Sequence, residues 1–336
     1  MSNQWVEDYL RGGKAYLVTG GTGSIGTEIV KHLLSKGATV RVLSRDESKQ
    51  YEMAKAMPHP NLSFQVGSVR NYADITKAMD DVQVVIHAAA MKHVPTCEYE
   101  PLEAVRTNLI GTVNVIRAAT LQEVRCVVGI STDKACNPAS VMGMSKAIME
   151  RMLVEANLHS NKTKFVAVRF GNVVPSRGSV VPLFLEKIAK GEPVTVTDKH
   201  MTRFLMPIQE AVHAVMLAAD SFCLPGEILV PKLKSAFITD LAKVLIGERN
   251  IPITYTGIRP GEKLSEELVS EEEASHTKDC GDYFLIRPTL KELYSRDGYL
   301  SMGIPQSYNS AYTVMGRDEL REMLKKALGE EWLNGD

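Results

Sequence analysis

A chain of 336 residues, 44% hydrophobic and 24% charged, is long enough for one large domain or two modest ones with a real apolar core. Its 39 Lys and Arg against 40 Asp and Glu leave a formal charge of -1, which excludes a global electrostatic pull on nucleic acid or anionic lipid. No apolar run approaches the roughly 18 residues of a membrane span, and Cys97, Cys126, Cys136, Cys223 and Cys280 show neither zinc-ligand nor CxxC spacing, so free thiols and no metal site are expected. The first residues have no basic start and no long apolar core, unlike a signal peptide, and a soluble cytoplasmic protein is expected.

Residues 1–13 read as a leader, in which Trp5, Tyr9 and Leu10 form one helical face. Lys14 to Thr19 is an apolar strand, Gly20 to Gly26 a glycine-rich turn, and Thr27 to Ser35 a helix stopped by Gly37. Strand, glycine turn and helix make the first unit of a dinucleotide-binding fold, with Gly20 for the tight turn, Gly23 for close approach of a pyrophosphate and Gly26 for helix against strand. Thr22, Ser24 and Ile25 complete the cradle at the helix N-terminus, whose free N–H groups attract phosphate. The GxxGxxG spacing resembles the extended short-chain dehydrogenase/reductase family. Thr39 to Leu43 is the second strand, ending in Ser44 and Arg45 rather than in an acid. A guanidinium beside a hydroxyl suits the 2′-phosphate of NADP better than the 2′-hydroxyl of NAD. Asp46 and Glu47 then start a helix. The third strand, Asn61 to Val66, leads to Ser68 and Val69, where the family holds an Asp against adenine. The fourth, Val82 to Ile86, runs into His87 and the small Ala88, Ala89 and Ala90, which admit a nicotinamide ribose. Met91 to Pro101 reads as a polar loop that places Lys92 near the sheet edge, and His93 reads as a capping or packing residue. Asn108, in a helical stretch from Val105 to Ala119, reads as a brace for a neighbouring loop.

Cys126 to Ile130 is a buried strand, and Ser131-Thr-Asp-Lys134 follows at the carboxyl edge of the sheet, where open α/β folds bind ligands. A helix from Lys146 to about Ala156 comes next. Lys164 to Arg169 closes a run of strands alternating with helices, which specifies a Rossmann-type doubly wound parallel sheet. The later pattern is less regular: helices at 180–190, 208–219, 239–245 and 317–328, short strands at 193–197, 201–206, 227–230 and 254–255, and a loop from Arg259 to Lys263. An α/β chain follows, with a leader at 1–13, a dinucleotide-binding domain at 14–175 to which later segments return, and a smaller α/β substrate domain at 176–336.

TGGTGSIG (19–26), AAMKHVP (89–95), STDKACNP (131–138), MGMSK (142–146), RFGNVVPSRGSVVPLF (169–184), MTRFLM (201–206) and RPGEK (259–263) span nearly the whole chain. Together they resemble nucleotide-sugar 4,6-dehydratases of the extended short-chain family, those acting on UDP-N-acetylglucosamine. Met142 stands where most of that family has a catalytic Tyr, four residues before Lys146, and a subset of these dehydratases shares the Met. The resemblance implies a lyase of surface-polysaccharide biosynthesis that removes water across carbons 5 and 6 of the sugar after transient oxidation at carbon 4. It implies Asp133 as the acid, Lys134 as the base at carbon 5, Thr132 as a hydrogen-bond partner of the carbon 4 hydroxyl and Lys146 as the holder of the nicotinamide ribose. Those roles ask Asp133 to keep a proton and Lys134 to lose one near neutrality. For the UDP-sugar, Arg177 and Arg259 are expected on the pyrophosphate with Asn172, Glu262 on the uridine ribose, and Lys92 and Val180 nearby; Arg203 is expected to brace the lid. The implied partners are a UDP-sugar and a second copy of the chain, with no nucleic acid and no membrane. A product held at the 5,6-ene, a UDP-sugar 4-epimerase and a non-catalytic NADP-binding scaffold are the alternatives.

Overall fold

The computed structural model describes residues 15–294, 303–330 and 332. The leader, with Trp5, Tyr9 and Leu10, lies outside them. In chain order the elements are β1 Ala15–Thr19, α1 Ser24–Ser35, β2 Thr39–Ser44, α2 Glu47–Ala56, β3 Leu62–Val66, α3 Tyr72–Ala78, β4 Val84–His87, α4 Val94–Tyr99, α5 Pro101–Ala104, a π-helical turn Val105–Ile110, α6 Gly111–Leu121, β5 Cys126–Ile130, a 3₁₀ turn Asp133–Ala135, α7 Val141–Ala156 and β6 Lys164–Val168. Then come β7 Asn172–Val174, α8 Val180–Ala189, β8 Val194–Val196, β9 Thr202–Pro207, α9 Ile208–Ala219, β10 Ile228–Pro231, β11 Ser235–Phe237, α10 Ile238–Ile246, β12 Ile253–Tyr255, β13 Glu267–Val269, α11 Glu271–Ala274, β14 Thr277–Asp279, β15 Tyr283–Ile286, α12 Lys291–Tyr294, β16 Tyr308–Asn309 and α13 Arg317–Leu328.

The main sheet runs β3-β2-β1-β4-β5-β6-β10-β15-β14. Neighbours from β3 to β10 pair in parallel, and β15 and β14 add antiparallel to the edge. This is the doubly wound order expected, and its direction of winding reverses between β1 and β4, where a crevice opens beyond the strands' carboxyl ends. The inner strands are continuous apolar runs because both faces are covered; all five residues of β5 are buried.

Two apolar clusters fill the molecule. One lies on both faces of the main sheet and includes Ala211, Val212, Ala214 and Val215 of α9, Leu229 of β10 and Leu285 of β15. The second gathers Val181 and Phe184 of α8, Val194 and Val196 of β8, Leu241 and Leu245 of α10, and Leu320 and Leu324 of α13. β7 is shared between them: Val173 faces the first cluster and Val174 the second.

Three local expectations are corrected. The segment expected as a loop at 91–101 contains α4, which starts at Pro95 in its first turn, where a missing N–H costs nothing. The helix expected at 105–119 opens with the π turn and is preceded by α5. The helix expected from Lys146 begins at Val141, because Ser140 caps it by accepting from Gly143 N at 3.1 Å. Met142 and Lys146 therefore share one face of one helix, a turn apart.

Candidate active site

The crevice is shaped by glycines that tolerate nothing larger. Gly20 has φ +69°, and a Cβ there would stand 2.8 Å from the Ala89 backbone. A Cβ on Gly26 would stand 2.5 Å from the Gly20 carbonyl and 2.7 Å from Gly21 Cα. The turn brings α1 to the strand tips with no acid in its first turn and no side chain capping its N-terminus, so its amides face the crevice unpaired with side chains. On the neighbouring strand, Asp46 is the cap of α2: its carboxylate accepts from Lys49 N at 3.0 Å and pairs with Lys49 Nζ at 2.9 Å. Ser44 and Arg45 precede it at the crevice wall.

One cleft of about 1220 Å³ occupies this position. It is lined by Gly20, Thr22, Gly23, Ser24, Ile25 and Gly26 of the turn, Ser44 and Arg45, Ser68 and Val69, and Ala88, Ala89 and Ala90. It continues over Lys92, Thr132, Lys134, Met142 and Lys146 to Asn172, Arg177 and Val180. Asp133, Arg259 and Glu262 do not line it. Asp133 is wholly buried behind its neighbours, and Arg259 and Glu262 lie in an exposed loop, where Glu262 accepts from Arg259 N at 3.3 Å.

Thr132, Asp133 and Lys134 form one hydrogen-bonded group at the end of β5. Asp133 Oδ1 accepts from Thr132 Oγ1 at 2.9 Å and from Lys134 Nζ at 3.0 Å, while its Oδ2 is buried with no partner. Lys134 also stands 3.5 Å from Glu266. Burial pushes the Lys134 amine down, but Asp133 and Glu266 outweigh burial and the opposing Arg203, and the net shift is upward. The expectation that Lys134 has lost its proton is thus corrected for this state: the residue stands as an ion pair. Lys146 is the amine that moves down. Burial lowers it to about 8 against the pull of Glu150, and its Nζ donates to Ile130 O at 2.6 Å.

Met142 is buried in a small apolar cluster with Cys97 and Ala104, bordered by Met91, Val94 and Val141. A thioether in such surroundings has no proton to exchange. Asn108 braces the adjacent segment as expected: its Oδ1 accepts from Met91 N at 2.8 Å and its Nδ2 donates to Met91 O at 3.1 Å and Ser145 Oγ at 2.9 Å. Arg203 likewise donates to Thr202 O, Leu264 O and Lys263 O at 2.7, 3.2 and 2.8 Å, which fixes the segment after the 259–263 loop.

Arg177 lines the cleft and is anchored to the glycine turn. Its guanidinium donates to the Thr22 carbonyl, its amide donates to Ser24 Oγ at 2.9 Å, and its own carbonyl accepts from Lys92 Nζ at 2.6 Å. It spans from the second half of the chain to the glycine turn. Burial and the Arg177 charge both press the Lys92 amine below the ordinary lysine range.

Residue patterns alone did not point to three supporting groups. Glu266, nearly fully buried, lies 3.5 Å from Lys134, 3.2 Å from Lys263 and 3.8 Å from Arg203. Arg169, at the end of β6, pairs with Glu150 of α7 at 2.6 Å and Glu273 of α11 at 2.7 Å, and Ser131 Oγ donates to Glu150 at 2.5 Å. His87 is fully buried between Thr19 Oγ1 at 2.8 Å and Thr112 Oγ1 at 3.1 Å, and burial first, then Lys146, holds its imidazole neutral down to about 3. The available sequence signal was a charged residue inside an otherwise apolar run, as at His87 and Arg169.

This sheet and its crevice define a Rossmann-fold protein of the short-chain dehydrogenase/reductase architecture. A profile of the polysaccharide biosynthesis protein family matches residues 16–288, and the chain belongs to that family. It is 44% identical over 326 residues to an uncharacterized membrane protein of Methanocaldococcus jannaschii, covering 93% of this chain and 96% of that protein. It is 41% identical over 325 residues to a protein named UDP-glucose 4-epimerase in Rickettsia bellii, covering 93% and 95%. Among solved structures, Pen from Bacillus thuringiensis superposes with a TM-score of 0.87 at 36% identity over 94% of this chain and 98% of that one. Despite the first relative's name, no helix among the described residues is long and apolar enough to cross a membrane.

Proposed function

We propose that the protein is a UDP-N-acetylglucosamine 4,6-dehydratase that works with tightly held NADP. The observation that carries this reading is the hydrogen-bonded Thr132–Asp133–Lys134 group at the end of β5, of which Thr132 and Lys134 line the same cleft as the glycine turn while Asp133 backs them from the interior. Such a cleft joins a dinucleotide cradle to an acid and an amine, which elimination needs and simple oxidation does not. NADP is favoured over NAD because Asp46, though it lines the cleft with Ser44 and Arg45, has its carboxylate engaged by the Lys49 amide and amine, which leaves Arg45 as the charge free to meet a 2′-phosphate.

When bound, NADP supplies the hydride chemistry that makes carbon 4 a ketone and later reduces carbon 6. The chain's own residues do the rest. Lys146 holds the nicotinamide ribose and, with its amine near 8, is the nearest candidate to receive the carbon 4 hydroxyl proton that Met142 cannot take. Thr132 holds that hydroxyl. Lys134 takes the proton from carbon 5, acidified by the ketone, and its ammonium gives one back there once carbon 6 is reduced. Asp133 supplies a proton for the departing carbon 6 hydroxyl through Thr132, which alone of the two lines the cleft. Asn172, Lys92 and Val180 hold the UDP moiety, joined by Arg259 and Glu262 when their loop folds over it. Arg177, seated on Thr22 and Ser24, serves the cofactor's pyrophosphate at least as directly as the substrate's.

The test is incubation with UDP-N-acetylglucosamine in deuterated water, followed by mass spectrometry and proton NMR. Loss of one water with deuterium gained at carbon 5 is expected for the 4-keto product, whereas a 5,6-ene would gain none, and the couplings fix carbon 5. The Rickettsia relative's name favours a second reading, a UDP-sugar 4-epimerase; unchanged mass with inversion at carbon 4 would establish it. A sugar bound but unaltered would mean a non-catalytic scaffold. We also assign a homo-oligomer, because α5, the π turn and α7 expose Leu102, Val105, Ile110, Met144 and Ile148 on neighbouring helices.

A further inference from the structure

Glu266 has no part in the reading above, yet it is one of the most confined charges in the molecule. It enters β13 from the loop side, is 2% exposed, and its backbone N–H donates to Ser310 Oγ at 2.9 Å. Three cations from three segments converge on it: Lys134 from the turn after β5, Arg203 from β9 and Lys263 from the 259–263 loop. The charged groups that face Lys134 are Asp133 on its own turn, Glu266 and Arg203. Lys263 does a second job, since its Nζ also donates to Cys136 O at 3.0 Å and Asn137 O at 3.1 Å, just past Lys134.

Two states of the Lys134–Asp133 pair share one net charge. In the first, Lys134 is an ammonium and Asp133 a carboxylate; in the second, the proton has crossed the 3.0 Å hydrogen bond from Nζ to Oδ1, leaving an amine and a carboxylic acid. No proton enters from solvent in that shift. Only the second state can take a proton at carbon 5 and give one to the leaving hydroxyl, and doing both returns the pair to the first. We propose that Glu266 is a positioning residue for this pair: its carboxylate holds the shared proton on Lys134 at rest, and Lys263 and Arg203 weaken that hold by competing for the same carboxylate. Seating of the 259–263 loop then changes the distance from Lys263 to Glu266 and so the ease of forming the reactive state. The inference rests on the reading of Lys134 as the base of a dehydration.

The experiment reads the Lys134 amine without turnover. Competitive labelling with an amine-reactive reagent across a pH series, quantified on the Lys134 peptide by mass spectrometry, gives its midpoint in substrate-free protein; the side chain is 22% exposed, so reagent reaches it. Glu266→Gln keeps the shape, and Arg203 keeps its three carbonyl acceptors, so the fold has support without the charge. Its midpoint should fall by at least about one pH unit, the water-screened effect of removing a carboxylate 3.5 Å away, which a partly buried site enlarges. Lys263→Gln should move it the other way. The basic-side dependence of kcat on UDP-N-acetylglucosamine should follow both shifts. A midpoint unmoved in Glu266→Gln, or moved in the same direction by both variants, overturns the proposal. Shifts as expected in a protein that releases no water would overturn the dehydratase reading and leave the role of Glu266 in placing the proton supported.

Discussion

Lys146 is buried with a backbone carbonyl at 2.6 Å and the Met149 sulfur at 3.4 Å as its partners. Its amine is depressed to about 8, whereas in the unfolded chain it titrates near the ordinary lysine value of about 10.4. Between those values the unfolded state binds more protons, so this residue's cost to stability is full below about pH 8 and fades as pH rises toward 10.4. Lys146→Met should therefore stabilise the protein at pH 7 by about 1–2 kcal/mol, partly offset by the lost donor to Ile130, with the gain shrinking above pH 9. Urea unfolding at pH 7 and 10 checks it, and on the proposed role of Lys146 at the nicotinamide ribose the same variant should lose turnover. Met142 differs in kind. In its apolar cluster with Cys97 and Ala104 it acts by volume, so Met142→Leu should cost under about 1.5 kcal/mol and keep turnover within severalfold. Abolished turnover in a folded, cofactor-binding Met142→Leu would give Met142 a chemical role.

The strand–turn–helix of β1 and α1 was legible because its rule is steric: a glycine is needed wherever a Cβ meets backbone. Gly26→Ala would put a methyl group 2.5 Å from the Gly20 carbonyl and 2.7 Å from Gly21 Cα, neither of which can swing away. The α1 N-terminus should be pushed off the sheet, and affinity for the nicotinamide cofactor should fall at least tenfold while the far edge of the sheet keeps its fold; titration of the reduced cofactor's fluorescence measures the loss. Six parallel strands were also legible, since each is a short apolar run between helical patterns. The additions at β13 to β16 were not, because strands of two to four residues in mixed-polarity sequence carry no period. The same limit hid the polar network behind the site. Arg169, Glu150 and Glu273 are 19 and 104 residues apart from one another's main partner in sequence, and only the packing of β6, α7 and α11 joins them. Arg169→Leu would leave two carboxylates buried without their cation and should destabilise the protein by about 3–5 kcal/mol, read as a fall in the urea midpoint. The proton's place in the Lys134–Asp133 pair was illegible for a related reason. Sequence shows Asp133 beside Lys134, but not Glu266, which arrives from 132 residues away to join Asp133 in outweighing burial at Lys134.

At the scale of the molecule, the two large apolar clusters and the small one around Met142 leave one flank of exposed apolar side chains. Met144 and Ile148 are four residues apart on α7, so they project from one face, and they are 49% and 48% exposed. Leu102, Val105 and Ile110 are exposed on the helical rod packed beside it. Met142 and Lys146 belong to the same helix α7, so covering this flank in the proposed oligomer would steady the helix that carries them. Wild-type protein should sediment as a dimer or larger at micromolar concentration, and the double substitution Met144→Glu with Ile148→Glu should yield a monomer. Both side chains are half in solvent already, so the monomer should keep its fold and its near-native circular dichroism. Its turnover should fall further than its cofactor affinity, because Lys146 lies on α7 two residues from each of Met144 and Ile148 while the glycine turn lies on a different element. Sedimentation of the wild type as a monomer would show that this flank faces solvent in the working protein and that α7 is held by its own contacts with β5, β6 and α6.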